Sequence, residues 1–150
     1  MSFRGFFDRL FSTGKTGAKE DGLQERLQQI RKVDIDVALA AHKNWRIRLQ
    51  SILDGSERDP PRPEHISCDK SCDLGRWIHG EGGEAFGDFA AFAELRATHQ
   101  MFHYSASNVL MLAQSNKQAE ARKLLEDEFD KLSRRVELSL TDLKLSLQGN

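Results

Sequence analysis

An all-α fold, an antiparallel four-helix bundle with an extra short helix, is predicted by two features of the chain. Apolar residues recur at alternating spacings of three and four through three long stretches, the mark of helices with one buried face. The connections between those stretches are short, which favours antiparallel neighbours. The composition agrees, with 39% apolar and 30% charged residues. At 150 residues the chain suits one domain with a full core.

The first element is a Phe-rich segment, 1–11, with Phe3, Phe6, Phe7, Leu10 and Phe11 on one helical face. Such a face fits a peripheral membrane contact, a partner, or the chain's own domain. Residues 12–22 hold three glycines and no large apolar residue, so 1–22 reads as an amphipathic segment and flexible linker. The bundle proper is expected over 23–150.

A long helix is predicted over 23–53. One stripe is Leu23, Leu27, Ile30, Val37 and Ala41; a second is Ile35, Ala38, His42, Trp45, Leu49 and Ile52. The alternation Val33-Ile35-Val37 would suit a strand, but the helical period around it is far longer. Asp54-Gly55 and the prolines at 60, 61 and 63 end that helix. Ser67-Cys68-Asp69 then offers N-cap chemistry for a short helix carrying Cys72, Gly75 and Trp77 and stopping at Gly80. Gly75 inside a helix costs up to about 1 kcal/mol relative to alanine, which implies close approach of a backbone or room beside Cys72. After a loop at 80–83, Asp88 is the expected N-cap of a helix over 89–115, with a seam of Phe92, Leu95, His99, Phe102, His103, Ala106, Leu110 and Ala113. The last helix, 117–147, faces inward through Ala121, Leu125, Phe129, Leu132, Val136, Leu140, Leu143 and Leu147.

Charge and cysteine usage limit the function classes. The formal net charge is −1 and the Lys and Arg residues are scattered, so no nucleic-acid partner is expected. No apolar run approaches the roughly 18–20 residues of a membrane span, and no signal peptide is visible. Cys68 and Cys72 would close only a tiny loop if bridged, so both are expected reduced and the compartment cytoplasmic.

The chemistry concentrates on apolar seams. His99 and His103 are four residues apart, which stacks two imidazoles one turn apart on a helix. His42 sits on the second stripe of the first helix, and Cys72 on the short helix. Three imidazoles and one thiolate match Zn2+ in number and softness, and such a set suits a tetrahedral site. Four protein ligands leave no position for a bound water, so no enzymatic activity is expected. Cys68, His65 and His79 are read as bystanders.

These residues also carry a resemblance. Ala41-His42-x-x-Trp45, then Cys72-x-Leu74-Gly75-x-Trp77 with Gly80-Glu81-Gly82, then His99-x-x-x-His103 resembles the chemoreceptor zinc-binding (CZB) domain family over about residues 23–147. The resemblance implies a helical bundle, usually dimeric, in cytoplasmic bacterial signalling proteins, with His42, Cys72, His99 and His103 as zinc ligands. In the family the domain is fused to chemoreceptor signalling regions or diguanylate cyclases and senses zinc; some members use the zinc-bound cysteine to sense hypochlorous acid. This chain, with no such region in it, is expected to be a stand-alone member that signals in trans to a partner of chemotaxis or cyclic di-GMP type. Two alternatives compete: a hemerythrin-like di-iron bundle, for which Asp34 is the one inward-leaning acid near His42, and a structural zinc adaptor with the same ligands.

Overall fold

The computed structural model describes residues 16–32 and 35–148, and every element among them is helical. In chain order these are α1 (Thr16–Lys32), α2 (Ile35–Leu53), α3 (Pro63–Ile66), α4 (Asp73–His79), α5 (Glu81–Phe86), α6 (Ala90–Gln114), α7 (Gln118–Leu124), a π turn (Leu125–Phe129) and α8 (Asp130–Gln148). The Phe-rich face at 1–11 and the positions Val33 and Asp34 lie outside the described residues, as do the side chains of Ile30, Ile35 and Leu147.

The molecule is assembled around α6, which packs against α2, α3, α7, the π turn and α8. Its whole predicted seam is buried, and Leu95 and Leu110 have no exposed surface at all. Full burial of each such side chain stabilises the fold by roughly 1.5–3 kcal/mol. The chain reverses after α6 at Asn116, which takes a left-handed φ of 61°. Asparagine tolerates that region better than most residues, and the reversal lays α7 and α8 back along α6. The inward positions of this last stretch, from Ala121 to Leu143, are all buried as predicted.

The first helix differs in two ways from its sequence pattern. Residues 16–22, expected within a flexible linker, are helical. Leu23 and Leu27 pack on the core and the Arg26 guanidinium lies 5.0 Å from the centre of the Phe89 ring. Once those contacts nucleate a helix, extension through Ala18, Lys19 and Glu20 costs little, and a Cβ at Gly17 or Gly22 would meet nothing within 4 Å. Of the two stripes on α2, only the one with His42 and Leu49 is buried; Val37 of the other is 60% exposed.

The connection from 54 to 88 departs furthest from expectation. Pro63 opens α3 at a position where its missing N–H costs nothing. Residues 67–69 supply no N-cap, Ser67 being the C-cap of α3; α4 begins only at Asp73, with Cys72 as its N-cap. The expected loop at 80–83 is largely helical, since α5 starts at Glu81. A Cβ on Gly82 would come within 2.6 Å of the Trp77 ring, so glycine is what allows the indole to lie on that backbone. Phe89, not Asp88, occupies the N-cap position of α6, and it makes no side-chain cap bond.

Candidate metal centre

His99 and His103 are placed by α6 alone. One turn apart, both rings are buried on the side of the helix that faces the core, at 0% and 5% exposure. His103 Nδ1 donates to the Ile66 carbonyl at 2.7 Å, which leaves its Nε2 lone pair facing His99. The two Nε2 atoms are 3.2 Å apart.

Cys72 arrives from a different part of the chain. Its sulfur accepts the Gly75 N–H at 3.2 Å as the cap of α4 and lies 3.3 Å from His99 Nε2. Gly75 is required here by close approach: an added Cβ would fall 1.7 Å from the Asp69 carbonyl oxygen. The side chains of Cys72, His99 and His103 thus offer donor atoms that all lie within 4.8 Å of one another.

His42 is beside this group without joining it. Its ring centre is 5.6 Å from that of His99 and 4.7 Å from that of Phe102, both edge to face. Its Nδ1 pairs with the Ala38 carbonyl at 2.5 Å, so its Nε2, like that of His103, is left with a lone pair. His42, Cys72 and His103 all line a cavity of about 510 Å³, walled by Trp45 and Trp77.

Burial sets the protonation of every group. It pushes His99 down to about 3, with the neighbouring charges of His103 and His42 acting in the same direction. It lowers His42 and His103 as well, against the raising effect of their bonds to Ala38 and Ile66. Burial also raises the Cys72 thiol, against the Gly75 and Leu74 N–H groups, which favour the thiolate. Imidazoles held neutral are already in the form that binds a metal, whereas the thiol must release its proton on binding.

The donor set fits a zinc ion. Bonds of about 2.0–2.1 Å to nitrogen and about 2.3 Å to sulfur at tetrahedral angles imply donor separations near ~3.4 Å for N···N and ~3.6 Å for N···S. The observed 3.2 and 3.3 Å come within about 0.3 Å of those edges. His99 Nδ1, buried and with no hydrogen-bond partner among the described residues, leaves the contacts of Nε2 as the polar interactions of that ring.

The remaining candidates lie apart from this group. His65 and Cys68 are exposed. His79 is engaged with Asp69 at 2.7 Å rather than with the donor group. Sequence reasoning missed two contributors. Ile66 acts only through its carbonyl and is 37 residues from the histidine it orients. Asp69 could have been noticed three residues before Cys72, but nothing in the sequence pairs it with His79.

Among the described residues no helix is long and apolar enough to cross a membrane. Neither the curated proteins nor the solved structures offer a match to this chain. The model of the chemoreceptor zinc-binding domain family does match, from residue 42 to residue 110, a span that begins at His42 and takes in Cys72, His99 and His103.

Proposed function

We propose that the protein is a zinc-binding regulatory domain that holds one ion through His42, Cys72, His99 and His103 and passes its state to a partner protein. The observation that carries this reading is the convergence of Cys72 with two neutral imidazoles, whose separations suit a single ion. His42 supplies the fourth donor by a small ring movement within the shared cavity, since its Nε2 lone pair is already available. A zinc ion there would keep Cys72 as a nucleophilic thiolate and tie α2, α4 and α6 together. Four protein donors leave no open position, so the role is sensory rather than catalytic. No carboxylate joins the donor group among the described residues, which counts against the di-iron alternative.

The finer claims follow from the same reading. The unit 23–150 forms an antiparallel four-helix bundle with an extra short helix, α4, carrying Cys72, and it acts in the cytoplasm as a homodimer. Exposed Met101, Tyr104 and Met111 on α6 and Ile47 on α2 supply apolar surface for the second copy. The partner in trans is of the chemoreceptor or diguanylate cyclase type. Oxidation of Cys72 to the sulfenic acid weakens it as a ligand and releases α4, which gives an oxidant such as hypochlorous acid access to the same signal.

The test is elemental analysis of protein purified without a metal-affinity column, with mass by light scattering. One zinc per chain in a dimer is expected, and its loss in Cys72→Ala. A zinc-free protein from a zinc-replete preparation overturns the reading.

A further inference from the structure

The sulfur that completes the donor group is held on a short segment, and the structure shows what holds that segment. Asp69, 8% exposed, stands three residues before Cys72. Its carboxylate takes a hydrogen bond from His79 Nε2 at 2.7 Å, at the far end of α4. His79 Nδ1 lies 3.4 Å from Arg96 Nη2, on α6 and one turn before His99. Arginine can only donate, so Nδ1 is the acceptor and the ring's proton sits on Nε2, where the carboxylate accepts it. All three groups are thereby satisfied in one direction, from Arg96 through His79 to Asp69. Burial works to raise the Asp69 carboxyl, yet the lowering effects, led by the hydrogen bond from His79, hold the group below its ordinary value.

The backbone of Asp69 is fixed at the same time. Its carbonyl oxygen lies where Gly75 would carry a Cβ, and 4.0 Å from the Cys72 sulfur. The segment 69–72 is therefore held at the start of α4 by backbone contact and at its end by the His79 bond. Arg96 ties that end to the helix that presents both histidines.

We infer that Asp69, His79 and Arg96 form a clamp that positions Cys72 against His99 and His103. They are positioning residues for the metal centre, and His79, read from the sequence as a bystander, belongs to the site's support. The inference rests on the metal-binding reading above, and partners that orient metal ligands in this way typically change affinity by about 10–100-fold when removed.

The experiment uses the full chain carrying Cys68→Ser, so that Cys72 is the one thiol, with His79→Ala, His79→Gln, Asp69→Ala and Arg96→Ala. Three quantities are measured: zinc affinity by chelator competition, the sulfur-to-metal charge-transfer band of the cobalt(II) form, and the rate of iodoacetamide alkylation in metal-free protein. His79→Ala and Asp69→Ala are expected to weaken zinc about 10–100-fold. They should also reduce the charge-transfer band and speed alkylation several-fold. His79→Gln, whose amide nitrogen replaces Nε2 as donor, should recover most of each change. Arg96→Ala approaches the clamp from the exposed surface, and it decides the matter if the other variants lose helicity. Wild-type affinity, band and alkylation rate in His79→Ala and Arg96→Ala overturn the clamp. If the parent chain itself bound no zinc, the metal reading would fall, while the alkylation rates of the metal-free proteins would still decide whether the clamp holds Cys72.

Discussion

The two halves of the candidate metal centre are built differently. His99 and His103 stand on the middle of a 25-residue helix that is packed by four other helical elements and the π turn. Cys72 caps a seven-residue helix, is half-buried, and borders a cavity of about 510 Å³. On the histidine side the core itself fixes the donors, so moving them means disturbing Leu95, Phe102 and Leu110. On the cysteine side contacts around Asp69 and Gly75 fix the donor at the start of a short helix, which is tied to the core through Leu74 and Ile78. Elements that respond to a stimulus are drawn from the less stable parts of a fold, and the proposed function assigns that part to the cysteine side.

The sharpest way to break this contrast is to remove one donor from each half. His99→Ala and Cys72→Ala should both lower zinc affinity by at least about 100-fold, because each deletes a ligand from the ion. In metal-free protein they should part company. His99→Ala leaves a hole in the core and should cost roughly 1–3 kcal/mol, whereas Cys72→Ala should cost under about 1 kcal/mol. Urea titration of both chelated variants reads the difference; equal losses would mean that the two halves are equally rigid.

Gly75→Ala tests the cysteine half alone. The new Cβ would overlap the Asp69 carbonyl, and relief requires the segment 69–72 to shift. A cost of about 1–3 kcal/mol is expected, together with weaker zinc binding and an otherwise unchanged helical content. Circular dichroism melts with and without zinc would show it.

Acid sharpens the histidine half. His99 falls from 6.5 in the unfolded chain to about 3 in the fold, and His42 and His103 also move down, all by burial first. Below pH 6.5 the unfolded chain takes up protons that the folded chain refuses. The stability contributed by neutral histidines is therefore complete above that pH and is lost progressively as the pH falls toward 3. Metal-free protein should show a steady fall in melting temperature across this window, and His99→Gln should flatten it. A melting temperature independent of pH there would contradict the buried, neutral cluster.

The smallest effect is expected at His65, which is exposed and apart from both halves. His65→Ala should leave zinc content unchanged and stability within about 0.5 kcal/mol.

The sequence by itself determined the all-helical class, the seam of α6 and that of the final helical stretch. Periodicity reports which face of a long helix is buried, and over twenty or more residues that signal is strong. It also singled out His42, Cys72, His99 and His103 from their seams and local patterns; the structure brings the last three together and leaves His42 beside them. The π turn at Leu125–Phe129 left no trace, since the inward spacing through it stays near the helical period. Only the tertiary structure decided how Cys72 is presented. Capping by Cys72 rather than at 67–69 follows from the seat of the Asp69 carbonyl on Gly75 and the bond from Asp69 to His79, ten residues away. Likewise the bond from His103 to Ile66 joins positions with no shared period. Such contacts depend on where whole helices come to rest, and a helix's own residues report only which of its faces is apolar.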